Sequence, residues 1–379
     1  MSKIEFWYDK PIEVDKTKSW LANSPYLIAN TTSLPYEDCP YHKVLSLIEY
    51  SRPDFTVTVD GEPILCCEST KENPSGNNIP QRFPGILRPA ELGVPAIFYF
   101  LKSSRKNTTT AKTNNPLNVN IRVLLAQLRV AEIYDVPSMT VFMPNDPITS
   151  LPTSKISDHK PLADLIETIV KSYDSSRKIL SSSDSLVVAN RNEQINAAKD
   201  ILNSTGGKGY YQNSSYRALY PNGSSFIAKH IPASFSVDPP DSCEIVDTSK
   251  LLQLQCKKFK KTYSKNSQKI KTLLQRPHTF VYKGTANKNK TGPEHPYPGV
   301  LTMLDILYVR REHGVSPHDR EMNIAFKLPI TLDSYIENTV NKPTGLNILN
   351  SFCDLIILDD AVVIAGWMLN LHAGAVLIK

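Results

Sequence analysis

The chain has 379 residues, 41% of them hydrophobic and 21% charged, a balance that excludes a disordered or fibrous protein and leaves room for two domains or one elaborated core. The net charge of +6 is unevenly placed: twelve Lys and Arg and no Asp or Glu lie between Lys250 and Lys290, so the remainder is slightly acidic. The motifs Gly-x-x-x-x-Gly-Lys-Ser/Thr, Gly-x-Gly-x-x-Gly and Gly-x-Ser-x-Gly are absent, which argues against an NTPase, a dinucleotide enzyme and a serine hydrolase.

In chain order, the first clear pattern is His42 to Tyr50, where Val44, Leu45, Leu47 and Ile48 predict a short helix. A hairpin follows. Phe55 to Val59 is rich in aromatic and β-branched residues, Asp60-Gly61 is a turn signal, and Ile64 to Glu68 reads as the returning strand. A twisted ribbon of this kind brings Asp54, just after Pro53, beside Glu68. Two close carboxylates are costly unless a cation or a proton sits between them, and oxygen-only ligation favours Mg²⁺ or Mn²⁺. Asp60 and Glu62 read as solvated turn residues. Pro80 to Leu92 reads as a helix or broken helix, Val94 to Leu101 as a buried strand, and residues 104–118 as a polar link. Val119 to Tyr134 is an amphipathic helix, and Met139 to Met143 another short strand before the break at Pro144 to Pro152.

The order helix, strand, strand, helix, strand, helix, strand around Pro53-Asp54 and Glu68 resembles the core of the PD-(D/E)xK nucleases, the superfamily of many type II restriction endonucleases. The resemblance covers residues 40–145. It implies that Asp54 is the family's aspartate and Glu68 its second acid. The family lysine falls on Thr70, a departure; Lys71 is adjacent, but strand side chains alternate faces, so it points away from Glu68 unless the strand bulges or ends there. A further metal ligand is implied at Glu49, at the end of the preceding helix, whose other reading is a solvated helix-end glutamate. The polar segment from Asn73 to Arg82 opens a helix. It can grip a phosphate through backbone N–H groups with Asn78, Gln81 and Arg82, or be an ordinary loop.

Beyond the core, Pro161 to Tyr173 and Asn192 to Asn203 read as helices joined by a serine-rich stretch, Ser175 to Ser185. Residues 205–240 are dense in Gly, Ser, Tyr, Asn and Pro, suited to base-edge reading and equally suited to being loops. From about Ser249 a long helical pattern carries Leu252, Cys256, Phe259, Tyr263, Ile270 and Leu273. It turns Lys257, Lys258, Lys260, Lys261, Lys265, Lys269 and Lys271 mostly outward. With no acid for intrahelical pairing, this face needs solvent or a polyanion, and phosphate contacts are the expected use. His295, His313 and His318 fit no tight zinc motif, and Asp305 reads as a satisfied core acid.

Six cysteines show no CxxC spacing and no paired framework, the usage of a reducing compartment. The N-terminus lacks the apolar run of a signal peptide, so a cytoplasmic protein is expected. The apolar stretch from Ala361 to Ile378 carries Asn370 and His372 and reads as a buried hairpin or core helix rather than a membrane span.

The expectation is an α/β fold, a restriction-endonuclease-like mixed β-sheet flanked by helices, with a C-terminal α+β elaboration. The domains expected are a nuclease core with an N-terminal extension at 1–150, a helical connection at 151–204 and a DNA-binding region at 205–379. The resemblance implies a Mg²⁺-dependent endodeoxyribonuclease with Asp54, Glu68 and Lys71 as catalytic residues, Asp54, Glu68 and Glu49 on the metal, Mn²⁺ as a substitute, double-stranded DNA as partner and a homodimer as the working form. Two alternatives stand beside it: a non-catalytic nucleic-acid-binding protein on a nuclease-like fold, and a repair or defence nuclease acting on RNA or non-duplex DNA.

Overall fold

The computed structural model is a mixed α/β protein that divides into two compact units, Met1–Tyr210 and Tyr211–Lys379, each built on a six-stranded mixed sheet. It describes residues 2–71, 78–104, 117–146, 153, 155–204, 226, 229–230, 237, 239–256, 267–284, 297–310, 319–331, 333–335, 352–364 and 376–378.

The first unit runs β1 (Ile4–Tyr8), α1 (Pro11–Leu21), α2 (Pro25–Asn30), β2 (Thr31–Pro35), α3 (His42–Leu47), β3 (Phe55–Val59), β4 (Glu62–Thr70), α4 (Asn78–Gln81), α5 (Pro84–Glu91) and β5 (Ala96–Leu101). A two-residue ribbon, β6 (Ser103–Ser104) with β7 (Leu117–Asn118), precedes α6 (Ile121–Tyr134), β8 (Ser138–Met143), α7 (Lys160–Ser176) and α8 (Ser185–Asn203). The sheet order is β2-β1-β3-β4-β5-β8. The β3–β4 pair is antiparallel, and β4, β5 and β8 are parallel neighbours, so α4–α5 and α6 are the crossovers that parallel pairing requires.

The N-terminal extension is part of this sheet. All five residues of β1 are buried, and it lies antiparallel to β3 and parallel to β2. Its one charge, Glu5, is buried and held by Lys3 Nζ at 2.7 Å and the Tyr41 hydroxyl at 2.9 Å, which is why an acid survives mid-strand.

Alternation along the strands sorts the core. Phe55, Val57, Val59, Leu65, Cys67, Ile97 and Tyr99 face Trp20 and Leu21 of α1 and Leu162, Ile166, Ile169 and Val170 of α7. Cys66 packs with Leu47 and Val94 on the opposite face, where α3 and α5 lie on β4. The outer edge of β8 is closed by α8: Asn190 accepts from the Thr140 N–H at 3.0 Å and donates to its carbonyl at 2.6 Å, and Gln194 donates to the Ser138 carbonyl.

The hairpin has a two-residue turn in which Asp60 (φ 53°) and Gly61 (φ 83°) are both left-handed, the geometry the Asp-Gly pair predicts. Asp60 and Glu62 are solvent-accessible turn residues, as expected, and each makes a surface ion pair: Asp60 with Arg177 at 2.7 Å, also accepting from the Lys3 N–H, and Glu62 with Lys43. The register Val59↔Glu62 and Thr58↔Pro63 changes to Val57↔Leu65, a bulge that leaves Ile64 unpaired beside a proline that has no N–H to give.

In the second unit, β9 (Cys243–Asp247) is followed by α9 (Thr248–Cys256), α10 (Ser267–Leu274), β10 (His278–Lys283), α11 (Tyr297–Leu304), a π-turn at Asp305–Val309, and strands β11 (Asn323–Lys327), β12 (Leu355–Ile357), β13 (Val362–Ile364) and β14 (Val376–Ile378), in the order β14-β13-β12-β11-β10-β9. Here too an antiparallel pair, β9–β10, is followed by two parallel neighbours, β11 and β12. The apolar C-terminal stretch contributes the antiparallel strands β13 and β14.

Asp305 is a satisfied core acid. It accepts from Arg310 Nε and from Arg320 Nε and Nη2, each at 2.8 Å. Burial pushes its carboxyl up, but the two guanidiniums outweigh burial and hold it below the ordinary value. The second carboxylate of the network, Asp354, lies 3.4 Å from both Arg276 and Arg320.

Among the described residues no helix is long and apolar enough to cross a membrane. Cys39, Cys66, Cys67, Cys243 and Cys353 are buried free thiols.

Candidate functional site

The site forms where β3 begins and β4 ends. Carried backward from Val59↔Glu62, an unbroken ribbon would set Cys67 opposite Asp54. The bulge at Ile64 re-phases β4, so the pairing becomes Phe55↔Cys67 and the next position sets Glu68 opposite Asp54. Both acids are buried, Asp54 at 6% exposure and Glu68 at 2%.

Asp54 Oδ2 accepts from the Ser69 N–H at 3.0 Å and from the Ser69 hydroxyl. Lys16 Nζ, reaching in from α1, donates to Ser69 Oγ at 2.8 Å and lies 3.5 Å from the same Asp54 oxygen. Glu68 Oε1 accepts from Arg82 Nη1 at 2.7 Å, while Glu68 Oε2 is buried with no hydrogen-bond partner among the described residues. Behind Oε2 the backbone of Gly85 closes in; a Cβ there would sit 3.1 Å away, so a side chain at this helical position would press on the carboxylate. Burial, and then the negative Asp54, pushes the Glu68 carboxyl up to about 8, with Arg82 opposing.

Helix α1 supplies two residues that the sequence reasoning missed, Glu13 and Lys16. The Glu13 carboxylate accepts from the Lys10 N–H at 3.2 Å, capping the helix, and burial followed by Asp54 pushes it up to about 7. The signals for this helix were Pro11 at its first position, Glu13 in its first turn and Lys18 in its last; its apolar periodicity is weak.

The remaining expected residues distribute as follows. Lys71 lies on the α1 face, its ammonium 5.9 Å from the centre of the Trp20 ring, with Lys16 at 4.8 Å from the same ring. Desolvation and the positive Lys16 lower its pKa. It therefore belongs with Lys16, across the strand from Glu68, as alternation requires. Glu49 is half exposed and pairs with Arg88 of α5. Asn78 opens α4 and Gln81 ends it, with Arg82 in the turn that leads to α5. Lys257, Lys258, Lys260, Lys261 and Lys265 lie outside the described residues, as do His295, His313, His318 and most of 205–240. The helical pattern that begins near Ser249 is described as α9 and α10, with Lys269 within α10 and Lys271 exposed on it.

The fit to a divalent ion rests on the donors. Among the described residues no group of three or more His, Cys, Asp or Glu is arranged to hold a metal, so Asp54 and Glu68 are a pair. Mg²⁺ is commonly held by one or two carboxylates plus water, and a buried carboxylate oxygen without a partner is an open ligand position, so the pair suits a hard cation of that kind. Both acids already carry internal cations, Lys16 and Arg82. The two carboxylates are electrostatically coupled, Asp54 pushing the Glu68 carboxyl up, with a lysine on the first and an arginine on the second.

Comparison of the chain with protein-family models, with curated proteins and with solved structures returns no match.

Proposed function

We propose that this chain is a Mg²⁺-dependent endodeoxyribonuclease with a restriction-endonuclease-like core, specifically a type II restriction endonuclease that cleaves double-stranded DNA. The observation that carries the reading is the buried cross-strand pair Asp54 and Glu68, with one Glu68 oxygen unpartnered, on the hairpin of a sheet whose next two strands run parallel.

Mg²⁺ on this pair supplies positive charge to the phosphate and acidifies a water, with Mn²⁺ as substitute. Asp54 and Glu68 would hold the ion, and the Ser69 N–H and hydroxyl fix the Asp54 carboxylate. Lys16 takes the part the resemblance gives to a lysine at position 70, where this chain has Thr70; its ammonium sits within 3.5 Å of Asp54 and can orient the attacking water. Lys71 adds positive charge near Lys16, and Arg82 holds Glu68 Oε1. The lysines from Lys257 to Lys271 supply sequence-independent phosphate contacts. Duplex DNA has two strands to cut, and a homodimer gives one site per strand.

The test is incubation of the purified protein with plasmid DNA and Mg²⁺. Discrete fragments are expected, and Asp54→Ala and Glu68→Gln should each abolish cleavage while duplex binding survives in Ca²⁺. Full cleavage by both variants would refute the assignment. The departure at Thr70 favours one second reading, a non-catalytic nucleic-acid-binding protein on the same core, for which the expected result is binding with no fragments.

A further inference from the structure

We propose that Arg82 is an exchangeable partner of Glu68: it holds the Glu68 side chain while the site awaits its substrate, and passes to a DNA phosphate when a divalent cation takes Glu68, so that metal and DNA bind with positive coupling. This inference rests on the nuclease reading and adds to it how the site is loaded.

The first support is charge. Asp54 and Glu68 stand against Lys16 and Arg82, so even with both acids ionised these four groups hold no net negative charge to receive a cation. A divalent cation added to them leaves two uncompensated positive charges in a buried place, which is unfavourable until an anion arrives or a cation leaves. A phosphodiester supplies the anion. Arg82 is the cation able to leave, because its side chain is 36% exposed while Glu68 is 2% exposed. Lys16 is held more deeply, at 24%, by Ser69, Asp54 and the face of Trp20.

The second support is geometry. Arg82 holds Oε1 and, among the described residues, nothing holds Oε2, whose far side is closed by the Gly85 backbone. The backbone around Arg82 is pinned by successive turns, with Arg82 N–H to Ile79 O, Phe83 N–H to Pro80 O and Gly85 N–H to Arg82 O, each 3.0 Å. The exchange is therefore a side-chain swing on a fixed hinge. A guanidinium suits both ends of that swing, since it donates to carboxylate and phosphate with the same planar fork.

The experiment titrates Mn²⁺ calorimetrically into the DNA-free wild type, Arg82→Gln, Arg82→Lys and Glu68→Gln. It then measures binding of a short labelled mixed-sequence duplex in Ca²⁺ by anisotropy. Arg82→Gln should bind Mn²⁺ roughly tenfold more tightly than the wild type and the duplex several-fold more weakly, a size typical of site-to-site coupling. Arg82→Lys should fall between, and if the glutamine variant does not fold, the order of lysine and arginine decides. Equal or weaker Mn²⁺ binding by the Arg82 variants overturns the exchange and makes Arg82 a structural partner of Glu68, leaving the nuclease reading intact. Mn²⁺ binding by no protein, or equal binding by Glu68→Gln and wild type, overturns both.

Discussion

Glu68→Gln should make the metal-free protein more stable, by an amount that grows with pH. The carboxyl sits at about 8 in the fold against an ordinary 4.5. For an acid raised on folding, the unfolded chain gives up its proton first. Stability is fully present below pH 4.5 and is lost as pH rises toward 8, after which the loss is constant. At 1.36 kcal/mol per pH unit the loss approaches roughly 4 kcal/mol by pH 8 and about 3 kcal/mol by pH 7. The glutamine variant has no proton to lose, and the parallel contribution of Glu13 is present in both proteins and cancels in the comparison. Urea unfolding in EDTA at pH 5, 6, 7 and 8 measures the difference, in a Trp367→Phe background so that Trp7 and Trp20 report the first unit. The curves should differ by about 1 kcal/mol at pH 5 and separate by about 3 kcal/mol at pH 7. Mg²⁺ at a hundredfold its Kd adds about 2.7 kcal/mol to the wild type alone and should nearly close the gap at pH 7. A stability difference that does not change with pH would refute the claim that burial and Asp54 govern this carboxyl.

Lys16→Met keeps the aliphatic stem over Trp20 and removes the ammonium; plasmid cleavage should fall by roughly 10² or more with duplex binding in Ca²⁺ little changed, the scale of a lost proton-handling group. Gly85→Ala should shift the Glu68 carboxylate and weaken Mn²⁺ binding in calorimetry without unfolding the first unit, because the added methyl would meet Oε2 at 3.1 Å. Asp305→Asn strips the carboxylate shared by buried Arg310 and by Arg320, which keeps the Asp354 carboxylate at 3.4 Å, and should cost about 3–5 kcal/mol in urea unfolding of the second unit. His159 is buried, with Nε2 donating to the Thr153 carbonyl at 3.2 Å and Nδ1 accepting from the Tyr99 hydroxyl at 2.5 Å. Burial lowers its pKa, so its neutral form is favoured in the fold; first-unit stability should be full above pH 6.5 and fall below it, and a His159→Gln melt should lose that acid-side slope.

The hairpin and the parallel strands were legible because each announces itself locally. Asp60-Gly61 is the preferred chemistry of a left-handed turn, and Ala96 to Leu101 and Ser138 to Met143 are apolar runs bounded by breakers. Strand β1 was not legible: Ile-Glu-Phe-Trp-Tyr places an acid in a fully buried strand, and it is made tolerable by neighbouring Lys3 together with Tyr41, a contact from far along the chain. Helix α1 has the end signals but a poor apolar stripe, so Lys16 could not be placed beside Asp54 from periodicity. Glu49 looked like a ligand from its position after a helix, but position does not specify a partner, and Arg88, nearly forty residues on, takes it. Lys71 was placed by alternation alone, because that rule needs no tertiary information.

The single unpaired residue in the hairpin works as a parity device. With it, the carboxylate of Glu68 meets Asp54; without it, a thiol would. Changes to the ribbon's length are thus not graded in their effect: one residue more or fewer between turn and site exchanges the whole set of inward and outward side chains, whereas two restore it. The loop end can drift in sequence, but its count cannot, and the chemistry at the far end of the ribbon is written in whether that count is odd or even.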